Sequence, residues 1–372
     1  MDLSVEMILL YLIVVMPAIV SCVDYTPEYI FNPLLPIVNQ LNVVDAIPIT
    51  NATTTPTVNR LPTKDQITYY VYYIAVNWYY DVVNDFNCQY CLKIKPDIAH
   101  RTALFNATFD TFAMVALSHT RQEIVVAFRG SSNSMNLFLD FGLPMNVRVN
   151  DASNIKVHTG FYLATMSLYA RVVGVIEFYR KGNKDYKIVI TGLSLGAAIA
   201  RLTCFFLNDR KQFPGAAYEL YTFGEFRVGN IPFAEYMNSL LMTSVRVVHR
   251  ADIVPHLPPV NVLGLPLLWD HYVHCQTEYW IYSEEVQRYC NQNTYEDPTC
   301  SISIGPLYTL VDHLQYFDVN IGSAFAQPLQ LATIGFNILP IELMLPPLPK
   351  LIENPLGGIL ADIIGVIVPI FG

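Results

Sequence analysis

The stretch Ile188-Val189-Ile190-Thr191-Gly192-Leu193-Ser194-Leu195-Gly196 runs straight into Ala197-Ala198-Ile199-Ala200-Arg201-Leu202-Thr203-Cys204-Phe205-Phe206-Leu207. Its first four residues suit a short buried strand, and its last eleven have the composition of a helix. Between them stands a G-x-S-x-G string, and the strand, tight turn and helix around it turn a common string into a specific signal. The flanking glycines have a physical task. A turn sharp enough to lift one serine to the top of a sheet leaves no room for Cβ atoms beside it. The helix that follows points its free N–H groups at the same spot. The plainer alternative is a Gly-rich turn or phosphate cradle between strand and helix, which these flanks make the weaker reading.

Outward from this turn, the short apolar runs 124–128, 220–223 and 245–248 alternate with helix-length segments. Runs bounded in this way predict βαβ units and a mostly parallel sheet within residues 65–327. The chain has 372 residues, 53% hydrophobic and 14% charged, against about 25% charged in an ordinary globular domain. This excludes disorder, which needs few apolar residues and much net charge. Lys plus Arg number 22 and Asp plus Glu 31, so the formal charge of −9 repels phosphate backbones, and nucleic acid is not an expected partner. Mean hydropathy is +0.34. The chain nevertheless shows no mid-chain stretch of the roughly 20 clean apolar residues that a spanning helix needs, which argues against a polytopic membrane protein.

Residues 1–22 read as a secretory signal peptide, because an uncharged apolar core leads into Val20-Ser21-Cys22. The segment ahead of that core holds Asp2 and Glu6 and no basic residue, so a membrane-associated anchor is the alternative. Residues 23–64, rich in Pro, Thr and Asn, read as an irregular arm or pro-segment. Residues 328–372 form an apolar, Pro-rich C-terminal tail. Secretion makes Cys88 with Cys91, and Cys290 with Cys300, the expected disulfides. A zinc knuckle from these four is disfavoured by the long second spacing. Asn51 and Asn106 begin glycosylation sequons.

A serine becomes a nucleophile only when a base takes its proton and an acid orients that base. In sheet proteins of this type the order is serine, acid, histidine. Asp252, in the turn after the run 245–249, is the acid in place. Of the histidines beyond it, His256 lies in a Pro-rich turn, and His271 and His274 resemble a strand face and make only a weak two-His metal signal. His313 comes late, on a loop between apolar segments. Spacing alone favours it only modestly.

Several further motifs stand in a fixed order around these residues: Phe128-Arg-Gly-Ser-Ser132, Val157-His-Thr-Gly-Phe161, the elbow at Ser194, and Tyr221-Thr-Phe-Gly224 with Arg227-Val-Gly-Asn230. Asp252-Ile-Val-Pro-His-Leu-Pro-Pro259, Glu278-Tyr-Trp280 and Asp312-His-Leu-Gln-Tyr-Phe317 follow. In this order they resemble the fungal class 3 lipases of the Rhizomucor and Thermomyces type, over roughly residues 65–324.

The resemblance implies an α/β-hydrolase fold, with a mostly parallel central sheet, helices on both faces and a short lid helix. It implies Ser194 as nucleophile, Asp252 as orienting acid and His313 as general base, acting together as a triad. It assigns the oxyanion hole to the backbone N–H of Leu195 and to Ser131, with Asp140 supporting that serine. The lid would be the segment carrying Met135, Leu137, Phe138 and Leu139, covering the serine and opening at an oil–water surface.

The expected activity is a secreted lipase that hydrolyses carboxylic esters of lipids, triacylglycerols above all, with no metal or organic cofactor. Lid and tail would meet the lipid surface. Phospholipase A1 or feruloyl-type esterase activity on the same scaffold, and a non-catalytic lipid-binding protein, are the alternatives. Two features depart from the family pattern. Leu193 precedes the serine where His is usual. No Cys stands in 75–80 or 322–325, where fungal members tie the first helix to the chain end. Cys204 and Cys275 are then expected to be buried thiols.

Overall fold

The computed structural model describes residues 61–78, 85–131, 146–150, 153–258, 261–262, 265–266, 272–275, 277–305 and 308–321. Residues 1–22 expected as a signal peptide, Asn51, Ser132, the expected lid residues Met135, Leu137, Phe138 and Leu139, Asp140, His271 and residues 328–372 lie outside these residues.

Eight strands build the main sheet: β1 (His100–Asn106), β2 (Thr111–Ser118), β3 (Glu123–Phe128), β4 (Lys187–Leu193), β5 (Tyr218–Phe223), β6 (Thr243–His249), β7 (Glu278–Ile281) and β8 (Gln287–Tyr289). They lie side by side in chain order. Strands β3 to β7 run parallel, and antiparallel hairpins close both edges. The predicted runs therefore fall in the parallel centre. There both faces are covered, so β3 is buried at every position, as continuous apolar runs require; the antiparallel neighbour β2 is buried throughout as well.

Alternation along each strand divides the core in two. Val125 and Ala127 of β3, Val189 of β4, Tyr221 and Phe223 of β5, and Val245 and Val247 of β6 pack with Tyr70, Tyr73, Ile74 and their neighbours from α1 (Lys64–Val76). The opposite face is covered by α2 (Thr159–Arg180) and α3 (Leu195–Asp209), and α4 (Ile231–Ser239) precedes β6. Helix α1 starts where it does because Thr63 and Gln66 form a capping box. The Gln66 N–H donates to Thr63 Oγ1 at 3.3 Å, and the Thr63 N–H donates to Gln66 Oε1 at 2.9 Å. Helix α2 is long and apolar enough to cross a membrane by length and composition. It contributes Phe161, Leu168, Val172 and Ile176 to the core.

Both expected disulfides are formed, Cys88–Cys91 and Cys290–Cys300. Cys204 and Cys275 are buried free thiols. Cys290, Cys300 and Glu278 make one compact group of metal-capable side chains. The two sulfurs are spent on each other, and Glu278 Oε2 accepts from Arg246 at 2.6 Å. Asn106 is half-buried in the β1–β2 hairpin, where its Oδ1 accepts from the Phe109 N–H at 3.2 Å.

Candidate active site

The site is assembled at the carboxyl ends of the parallel strands, where open α/β sheets carry their functional loops. Strand β4 ends at Leu193 and helix α3 begins at Leu195, so Ser194 alone makes the turn. Its backbone is held at φ 59°, ψ −126°, a region that a non-glycine residue enters at a cost of about 1–3 kcal/mol. Close approach on all sides enforces this geometry. A Cβ on Gly192 would lie 2.1 Å from the carbonyl oxygen of Gly196, and one on Gly196 would lie 2.5 Å from the carbonyls of Phe128 and Arg129. The elbow therefore sits directly against the end of β3. Ser131 follows three residues after the end of β3 and is partly exposed. Leu195 is the first residue of α3, where helix N–H groups have no intrahelical acceptor.

Asp252 and His313 reach the same place by another route. The Ser194 N–H donates to the carbonyl of Phe223, the last residue of β5, at 3.0 Å. Gly224 comes next, at φ 52°, and a Cβ there would lie 2.6 Å from the His313 ring and 2.8 Å from Asp252 Oδ2. Gly224 is thus the floor on which Asp252 and His313 rest, one residue from the carbonyl that holds the serine turn. Asp252 follows β6 in a short turn, and His313 lies in a single 3₁₀ turn, Asp312–Leu314. The two segments are laced together, with the Ile253 N–H donating to Thr309 O at 3.1 Å and the Thr309 N–H to Ala251 O at 2.7 Å.

His313 Nδ1 lies 2.8 Å from Asp252 Oδ2. The carboxylate is completely buried and is satisfied by two further donors, the Val254 N–H on Oδ1 at 2.9 Å and the Tyr316 hydroxyl on Oδ2 at 2.6 Å. Burial, and then the neighbouring carboxylate, push the Tyr316 phenol well above its ordinary range, so it remains a donor. By contrast, Ser194 Oγ and His313 Nε2 are both buried and have no hydrogen-bond partner among the described residues. They do not bond each other. Buried polar atoms are normally paired, and a site that must receive a reacting group is one place where they are left bare.

The other histidines are engaged elsewhere. His256 is buried in the Val254–His256 turn, with its ring stacked 4.0 Å from Tyr308. His274 donates Nε2–H to Pro255 O at 2.6 Å. Burial, with Arg246 and Arg227 nearby, drives its pKa well below 6.5. Gly224, Val254 and Tyr316 went unassigned in the sequence. Tyr316 stands inside the motif that contains His313, and its spacing three residues on was the available signal.

Residues 125–262 match the model of the class 3 lipases. The solved triacylglyceride lipase of Rhizomucor miehei is 31% identical with a TM-score of 0.62, and the match covers 71% of this chain and 99% of that one. The chain belongs to the class 3 lipase family. Among curated family members, the lipase of Rhizomucor miehei is 36% identical over 217 residues, 58% of this chain and 57% of its own length. Secreted mono- and diacylglycerol lipase 1 of Fusarium solani is 36% identical over 169 residues, 45% of this chain and 47% of its own. The chain thus spans about half the length of these curated relatives. Its α/β-hydrolase fold, with helices on both faces of a mostly parallel sheet, is the family's.

Proposed function

We propose that this class 3 lipase hydrolyses carboxylic esters of lipids through an acyl-enzyme on Ser194. The observation that carries this reading is that Ser194 and an imidazole fixed through Nδ1 on buried Asp252 meet at the end of β5, on Phe223 and Gly224, with Ser194 Oγ and His313 Nε2 unpartnered among the described residues. His313 Nε2 takes the Ser194 proton as Oγ attacks the ester carbon. Asp252 holds the tautomer and stabilises the imidazolium that forms. Charge developing on the carbonyl oxygen is met by the Leu195 N–H and by Ser131. The intermediate collapses with the His313 proton passing to the departing alcohol, and water then releases the acid by the same steps in reverse order.

Acylglycerols are the substrate class. The solved Rhizomucor relative is a triacylglyceride lipase and the Fusarium relative a mono- and diacylglycerol lipase, so comparing triolein with diolein under one assay decides how many acyl chains this enzyme prefers. The segment with Met135, Leu137, Phe138 and Leu139 serves as the lid, with Asp140 behind Ser131. Export follows from the leader, and it suits two disulfides. A mature chain beginning near Val23, with glycans at Asn51 or Asn106, is the expected product of secretion.

Tributyrin hydrolysis by the purified chain, compared with Ser194→Ala, tests the activity. Wild-type turnover that is abolished in the variant supports it, and equal rates in both would overturn it.

A further inference from the structure

The turn that carries Asp252 is gripped at its far end by Arg227, beside the His274 bond to Pro255 O. The Arg227 N–H donates to Leu257 O at 2.8 Å, and Arg227 Nη1 donates to His256 O at 2.7 Å and to Pro258 O at 3.0 Å. Three successive carbonyls of the turn thus converge on Arg227, which is completely buried. The other edge of the guanidinium is taken by Glu296, with Nε on Oε1 at 2.7 Å and Nη2 on Oε2 at 2.6 Å. Glu296 belongs to the loop closed by the Cys290–Cys300 disulfide. Asp297 shapes that loop by accepting the N–H groups of Asn291 and Thr299 at 2.8 and 2.9 Å.

Burying a guanidinium is costly unless it is paired and its donors are used, and space alone could have been filled by an apolar side chain. What the pair provides here is position. The Val254 N–H that aims Asp252 Oδ1 lies within the turn, between the lacing to Thr309 at one end and the Arg227 fork at the other. We propose that Arg227, held in place by Glu296, is a positioning residue for Asp252: its fork fixes the turn that keeps the carboxylate on His313. This rests on the reading of Asp252 and His313 as the acid and base of the reaction. Without the fork the carboxylate drifts from Nδ1, the imidazolium loses its stabiliser, and His313 becomes a weaker base.

Charge alone and position make different predictions. Among the described residues, the charged and titratable groups around His313 are Asp252, Tyr316 on the same oxygen, Asp312 beside it, and His249, whose Nδ1 lies 2.9 Å from Asp312 O. None of them changes in Arg227→Lys, which also keeps a positive charge opposite Glu296. A direct field effect therefore leaves the pH profile of this variant in place, whereas lost positioning moves it.

The test uses the full chain and a water-soluble butyrate ester, with rates expressed per Ser194 titrated by an alkyl phosphonate, so that unfolded protein does not count. For Arg227→Lys, kcat per titrated site should fall roughly tenfold or more, as small misplacements of a catalytic group do. KM should stay within about twofold, and the acid limb of kcat/KM should move to lower pH. Glu296→Gln, which leaves the fork present but loosely held, should shift in the same direction by less, and it serves as the main variant if Arg227→Lys does not fold. Wild-type kcat and an unmoved acid limb per titrated site in the variant that folds would overturn the proposal. A wild-type chain that takes up no phosphonate at Ser194 would instead overturn the reading on which it rests.

Discussion

The Tyr316 hydroxyl donates to Oδ2 of Asp252 at 2.6 Å, the same oxygen that lies 2.8 Å from His313 Nδ1. Because this phenol is buried and its pKa is raised far above the ordinary range, it works as a fixed donor across the working pH range. Tyr316→Phe removes one of the carboxylate's donors, and bonds to charged groups are worth about 1.5–3 kcal/mol. If about 1.4 kcal/mol of that is felt in the transition state, kcat falls roughly tenfold. Steady-state rates on a soluble ester, with a urea melt beside them, check both effects.

Gly224→Ala should be more damaging. Its Cβ would stand 2.6 Å from the His313 ring at φ 52°, so the imidazole must move or the backbone must strain. A displacement near 1 Å costs about a hundredfold in rate, and the left-handed backbone adds about 1–2 kcal/mol of destabilisation. A loss of kcat that exceeds the loss expected from the melt alone is the predicted result.

Stability should fall on mild acidification through His274. In the unfolded chain this imidazole takes up a proton near pH 6.5, whereas in the folded protein burial and then Arg246 and Arg227 hold its pKa well below that. Between those two values the unfolded state binds more protons, so stability drops as pH falls, and its full contribution is present above pH 6.5. Melting temperatures from pH 7.5 to 5 should decline, and the decline should be shallower in His274→Gln, which can still donate to Pro255.

Cys204 and Cys275 should be inert in the native protein. Burial pushes the first thiol up to about 12 and the second to about 11, and the thiolate is the reactive form. Iodoacetamide at pH 8 should leave both peptides unmodified until urea is added, as peptide mass spectrometry can read out.

Much of this architecture could be read in the residues themselves. The β-branched run before Gly192 had to be a buried strand, and two glycines flanking one serine had to be a tight elbow, so β4, Ser194 and α3 followed from local chemistry. Asp252 and His313 are 61 residues apart, and spacing alone favours His313 only modestly; the motifs in their fixed order carry the rest. Tyr316 was visible as a letter in the His313 motif, but its role depends on a 3₁₀ turn that swings its hydroxyl onto Asp252. Arg227 and Glu296 were further out of reach. Their partnership joins the loop after β5 to a disulfide loop 69 residues on, and no local pattern encodes a contact of that range. The apolar residues of 1–22 and 328–372 lie outside the described residues, and deleting 328–372 while assaying droplet binding tests whether the tail meets lipid.

The central claim is that Ser194 is the nucleophile, activated by His313 on Asp252. Treating the folded chain with an alkyl phosphonate and mapping the adduct by mass spectrometry tests it most directly. One adduct is expected, on Ser194, formed in step with the loss of esterase activity and greatly slowed in His313→Ala. Inactivation with the adduct on any other residue, or full ester hydrolysis with Ser194 unlabelled, would contradict it.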